Sequence, residues 1–191
     1  MGLGRGFVRS IMSRIDARYY RRHQLRAVGP ALHIGCSRYR GPDMEFADGT
    51  VLRDNEMYGT LHFNNASLWA IGEGSAHRTG FRFARLMRQS LRMLAENSHD
   101  DPALRDIRVY YGITWLPDHG NVVGFVSKPL PATWRNRFIQ AYLRLLLWTF
   151  APASRKRKRA VVQPRAYWLT RETLTQNLGK LKRPVPESAP T

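Results

Sequence analysis

The chain has 191 residues, 43% of them hydrophobic, and its 31 Lys and Arg face only 14 Asp and Glu, a formal charge of +17. That length allows one domain with a core of its own, and an excess of cations this large points to an anionic partner. The single cysteine, Cys36, excludes an internal disulfide and a multi-thiolate metal site within one chain and suits a reducing, cytoplasmic compartment; no stretch reaches the ~18 uncharged apolar residues of a membrane span.

Residues 6–26 are expected to form the first helix. Val8, Ile11, Met12, Ile15 and Tyr19 recur at three- and four-residue steps as one apolar stripe, with Arg5, Arg9, Arg14, Arg18 and Arg21 off it. Gly29-Pro30 is expected to break that helix. Short strands are expected at 32–34 and 37–40. Met44-Glu45-Phe46, the hairpin signal Asp48-Gly49 and the return Val51-Leu52 then predict a first hairpin. Residues 57–64 read as a firmer strand, Leu61 and Phe63 on one face and Thr60, His62 and Asn64 on the other.

The clearest helix is expected at 79–96, burying Phe83, Leu86, Met87, Leu91 and Leu94. Opposite them, Arg78, Arg82, Arg85, Arg88 and Arg92 fall within about 120° at ~100° per residue. Residues 107–116 and 121–126 are expected to pair as a second hairpin around Pro117-Asp118-His119-Gly120. A third helix, about 133–150, is apolar nearly all round except for Arg137, Gln140 and Arg144. A basic loop follows: Arg155, Lys156, Arg157, Lys158, Arg159. A last strand at 166–169 leads to Thr170, capping a short helix over 171–178 that Gly179 closes. The fold class is therefore α+β: residues 1–179 as a single domain, a mixed or antiparallel sheet of about five or six strands packed by two or three helices. Residues 180–191, with Pro184, Pro186 and Pro190, are expected to be a disordered tail.

Three groups of residues carry candidate chemistry. His62, Asn64 and Asn65, with Glu73 and His77 brought near by the glycine-rich turn 72–76, are a candidate ligand-binding face, because imidazole, carboxylate and amides together can orient a polar ligand or move a proton. A polar strand face followed by an ordinary turn is the plain alternative. Arg78, Arg82, Arg85, Arg88 and Arg92 are candidate anion ligands. Like charges four residues apart repel by a few tenths of a kcal/mol, a cost that a phosphate-bearing surface reverses, and the guanidinium fork suits phosphate. The cations 155–159, directly after Trp148 and Phe150, follow the order of an interfacial membrane anchor; a core helix followed by a solvated loop is the alternative. No cofactor or metal is expected: the six His lack ligand spacing and the early glycines follow no strand.

Met-Glu-Phe-Ala-Asp-Gly-Thr at 44–50, Gly-Thr-Leu-His-Phe-Asn-Asn at 59–65, Tyr-Gly-Ile-Thr-Trp at 111–115 and Ala-Tyr-Trp-Leu-Thr-Arg-Glu-Thr-Leu at 166–174 together resemble the YkoP-like domain, over roughly residues 10–180. The resemblance implies a bacterial cell-envelope context and, as a possible partner, a polysaccharide deacetylase, since members occur joined to such domains. It supplies no catalytic residues, and no deacetylase metal motif is present. The expected function is that of an accessory binding protein at the cytoplasmic face of the inner membrane, with an anionic membrane surface or a phosphate-bearing envelope precursor as partner. A nucleic-acid-binding protein and an enzyme using the His62/Asn64 face are the alternatives.

Overall fold

The computed structural model describes residues 3–71, 76–114, 123–131, 133–150 and 164–179. In chain order these form α1 (Leu3–Arg22), β1 (Arg26–Ala27), β2 (Leu32–Arg38), β3 (Met44–Glu45), β4 (Val51–Leu52), β5 (Met57–Phe63), α2 (Asn65–Ile71), α3 (Ala76–Asn97), β6 (Val109–Thr114), β7 (Val126–Pro129), α4 (Trp134–Phe150), β8 (Arg165–Thr170) and α5 (Arg171–Gln176). The arrangement is α+β. Six strands join in the order β1-β2-β5-β6-β8-β7, and β3 and β4 make a separate two-stranded ribbon. The sheet is mixed: β5 and β6 run parallel, the helices α2 and α3 supplying the long crossover that a parallel pair needs, and every other pairing is antiparallel.

Alternation along the strands divides the apolar residues between two faces. On one, Leu32, Ile34, Leu61, Phe63, Tyr110 and Leu169 pack with Leu91 and Leu94 of α3 and Leu174 of α5. The other face carries two clusters. Met12 of α1, Trp69 of α2 and Leu143 and Leu146 of α4 close over Ile113 at one end. Phe46 and Leu52 of the ribbon close over Val109 and Trp168 at the other. Thus α3 and the α1/α4 pair lie on opposite sides of the sheet.

The hairpin at Asp48-Gly49 forms with Met44 opposite Leu52, and Gly49 takes the left-handed φ of +81° that its turn requires. Asp48 then ties the ribbon to the end of the chain. Its carboxylate accepts hydrogen bonds from the backbone N–H of Thr50 (2.9 Å) and the hydroxyls of Thr173 (2.8 Å) and Thr170. Thr170 is also the N-cap of α5, its oxygen accepting from the Thr173 N–H at 3.1 Å. Burial alone would raise the Asp48 pKa; the hydroxyls and the backbone donor outweigh it and hold it at about 2.

Three local expectations are corrected. The first helix stops at Arg22, and Gly29-Pro30 lies instead in the β1–β2 turn. Gly29 has φ +124° there and presses on α3, where a Cβ would stand 2.7 Å from Ser90 Cα. The two short strands expected at 32–34 and 37–40 are one continuous β2, because β5 offers a partner to every residue from Leu32 to Arg38. The second hairpin does not form: β6 and β7 do not pair with each other, and each pairs with β8, which lies between them. The physical reason is burial. Ala166–Thr170 are all buried, so β8 takes an interior place in the sheet, where both neighbours satisfy its backbone. The turn residues 117–120, the basic run 155–159 and the tail 180–191 lie outside the described residues. No helix among the described residues is long and apolar enough to cross a membrane.

Candidate functional site

Between the two clusters on the α1/α4 side, the sheet is left uncovered over a short stretch. A cavity of about 410 Å³ opens there, its floor the β2, β5 and β6 strands and its walls α1 and α4. That volume lies within the range of about 300–1,000 Å³ typical of small-ligand sites. Its existence follows from the sheet residues beneath it. Thr60 and Ser37 are too small to fill the gap between the helices and the ribbon, whereas Ile113 and Tyr111 on either side pack into the two clusters.

One end of the cavity is polar. The Tyr142 hydroxyl of α4 donates to Asp16 Oδ1 of α1 at 2.7 Å, and Asn65 Nδ2 of α2 donates to Asp16 Oδ2 at 2.9 Å and to the Tyr142 oxygen at 3.1 Å. Three helices are thereby joined through one carboxylate. Tyr20, one residue-turn further along α1, donates to the Phe63 carbonyl at 2.8 Å. Burial, then the nearby Asp16 charge, pushes the Tyr20 phenol up to about 12. Tyr142 is raised too, first by burial and then by its hydrogen bond to Asp16. Both phenols therefore stay protonated and act as donors.

His62 stands on the floor, its ring centroid 5.3 Å from that of Tyr19, directly across the strand pair from His33. Burial, followed by the proximity of His23 and His33, lowers its pKa to about 4. His33, stacked 4.5 Å from Tyr20, is lowered by burial as well. These imidazoles are neutral near pH 7, and His62 is a poor match for a general base there. Among the described residues, no group of three His, Cys, Asp or Glu side chains is placed to hold a metal ion.

The structure separates the residues that sequence reasoning grouped. His62 and Asn65 line the cavity, but Asn64 does not. β5 ends at Phe63, so Asn64 leaves the strand face and caps α2: its Oδ1 accepts from the Ser67 N–H at 3.3 Å and its carbonyl from the Leu68 N–H at 3.1 Å. Glu73 lies outside the described residues, as does the side chain of His77 within α3. Arg78, Arg82 and Arg85 are exposed, while Arg88 and Arg92 are half-buried and Arg92 meets Glu96 at 3.8 Å. This stripe faces away from the cavity, on the far side of the sheet. Arg155, Lys156, Arg157, Lys158 and Arg159 lie outside the described residues. Cys36 is exposed on the part of β2 that two-residue β1 does not reach. Sequence reasoning passed over Asp16 and Tyr142. Asp16 did carry a signal: it is the lone acid in the first 42 residues, set in a helix crowded with arginine. Tyr142 lies 126 residues from its partner, and nothing local marked it.

Around the mouth of the cavity, the helices expose apolar side chains. Phe7 (68%), Ile11, Ile15 (52%) and Tyr19 run along α1, and Trp134 (82%), Phe138 (75%) and Leu145 along α4. The α4 residues share one stripe, within about 60° at ~100° per residue. Ile15, Tyr19 and Phe138 belong both to these stripes and to the cavity lining, so the stripes meet at its rim. The nearly all-round apolar character of the third helix is thus divided: Leu143 and Leu146 are core, and Trp134 and Phe138 are surface.

A family model described as the YkoP domain matches residues 5–178. No curated protein and no solved structure matches the chain.

Proposed function

The chain belongs to the YkoP domain family, and we propose that it is an accessory binding protein that docks peripherally on an anionic membrane surface, such as the cytoplasmic face of a bacterial inner membrane, in a cell-envelope context. The observation that carries this reading is the pair of exposed apolar stripes on α1 and α4, set among cations. Arg14, Arg18 and Arg21 of α1 and Arg137 and Arg144 of α4 are exposed beside them. An apolar strip bordered by Arg is the surface chemistry of an interfacial contact. Each cation near an anionic surface contributes about 1 kcal/mol, and sinking an aromatic or aliphatic side chain contributes about 1.5–3 kcal/mol if fully withdrawn from water. A few of each suffice for reversible binding.

The apolar part of this contact is Phe7, Ile11, Ile15, Trp134 and Phe138; Trp148 and Phe150, expected there from sequence, have side chains outside the described residues. The α3 arginines face the opposite side, so a flat membrane under α1 and α4 leaves them for a second anionic partner. Binding is favoured over turnover because Asp16 and Tyr142 are engaged with each other and His62 is held neutral.

Vesicle flotation tests the proposal. Wild-type protein should float with vesicles containing about a third anionic lipid, lose binding as salt rises over the Debye range of about 10 to 3 Å, and ignore neutral vesicles. Replacing Trp134 and Phe138 together by Ser, both at the surface and so harmless to folding, should weaken binding at least tenfold. Wild-type protein that ignores anionic vesicles at low salt but shifts DNA or RNA is the result that makes the nucleic-acid reading correct instead.

A further inference from the structure

The molecule as a whole is made for anions, but its cavity is not. Its described lining residues include no Lys or Arg, in a chain that has 31 of them, and Asp16 is the one acidic side chain among them. Among the described residues, the donors that meet Asp16 there are neutral, the Asn65 amide and the Tyr142 hydroxyl.

Asn65 supplies the second, independent observation. It is 6% exposed, and its Oδ1 is buried without a hydrogen-bond partner. The assignment of oxygen and nitrogen is settled by chemistry. A flipped amide would set its oxygen against Asp16 Oδ2 at 2.9 Å, two acceptors in contact, so the atom left over must be the carbonyl oxygen. A buried acceptor without a donor is costly and rare, and it calls for a group that brings N–H or O–H. Both Asp16 oxygens have accepted one hydrogen bond and keep a lone pair for another.

We infer that this cavity binds an amphiphile with a protonated amine head, the ammonium donating to Asp16 and to Asn65 Oδ1 and the apolar body leaving past Phe138 and Ile15. Of the two imidazoles that line the cavity, His23 and His62, His62 stays neutral near pH 7 and brings no repulsion. A hydroxyl head would satisfy Asn65 Oδ1 alone and would leave the Asp16 charge unmatched; a carboxylate or phosphate head would face Asp16 with no Lys or Arg among the described lining residues to offset it. The inference rests on the cavity alone and stands whether or not the protein docks on membranes.

The test uses soluble wild-type protein at pH 7 and moderate salt, titrated with octylammonium, octanol and octanoate below their aggregation limits. Binding is read by calorimetry and located by the side-chain amide resonances of Asn65. Octylammonium should bind at least tenfold more tightly than octanol and shift the Asn65 resonances, and octanoate should leave them unmoved. Asp16→Asn should lose at least tenfold in octylammonium affinity while its octanol affinity stays within about threefold. Equal binding of octylammonium and octanol by the wild type, a preference for octanoate at Asn65, or no binding of octylammonium at millimolar concentration overturns the inference. Because the three-probe comparison on wild-type protein decides alone, it holds even if Asp16→Asn does not fold. The +17 charge repels ammonium from the surface generally, so nonspecific contacts work against a false positive.

Discussion

Replacing His62 by Gln isolates the electrostatics of the cavity floor. His62 has a pKa of about 4 in the folded chain against an ordinary 6.5. As pH falls, the unfolded chain takes up this proton first and the folded chain resists it, so stability is whole above pH 6.5 and declines as pH drops toward 4. With 1.36 kcal/mol per unit, full conversion gives about 3 kcal/mol, and the solvent that reaches the half-buried ring reduces this to about 2–3 kcal/mol. Urea unfolding of wild type and His62→Gln from pH 7.5 to 4.0, at constant ionic strength, should give curves that nearly coincide at pH 7, within about 1 kcal/mol. They should then separate, with the variant relatively more stable at pH 4 by that amount. The general loss from rising positive charge acts on both proteins and cancels in the difference. Curves that stay parallel down to pH 4, or a His62 ring proton that titrates near its ordinary value in an NMR series, would refute the burial of this imidazole.

The Asp48 clamp titrates in a separate, lower window. With its pKa held at about 2 by Thr170, Thr50 and Thr173, Asp48→Asn should lose about 1–2 kcal/mol near neutral pH, and the difference from wild type should shrink as pH falls from about 4 toward 2; a pH-independent loss in the same melts would contradict the hydrogen-bond account. In the main core, Leu94 is fully buried between α3 and the sheet, so Leu94→Ala should cost about 2–5 kcal/mol; a thermal or urea midpoint within error of wild type would show that α3 does not pack as described.

Much of the fold could be read locally. The 3.6-residue periods located α1 and α3 because each has an apolar stripe contained in its own sequence, and a long apolar run with a narrow polar seam located α4. Asp48-Gly49 identified the ribbon, and Thr170 identified the start of α5, because a turn and a cap are satisfied by residues two or three positions away. The family motifs, too, resolve into local parts: Asp48 and Thr170 make a clamp, Asn64 a cap, and His62 and Asn65 a share of the cavity.

What no local pattern contains is which separate segments meet. Residues 107–116 and 121–126 carry the marks of a hairpin, yet β8 enters between their strands from about forty residues further along, because its buried run Ala166–Thr170 gains more from two partners than from one. The same holds for the site. His62 was visible as a histidine on a strand face, but whether that face met solvent, core or cavity depended on how α1 and α4 lay across it. Asp16, Asn65 and Tyr142 come from three helices, 49 and 77 residues apart along the chain. They are joined by the demand that a half-buried carboxylate find donors wherever the packing supplies them. Composition determined that the surface would be cationic; only the tertiary structure, by turning the lone acid of α1 inward, made its cavity the opposite.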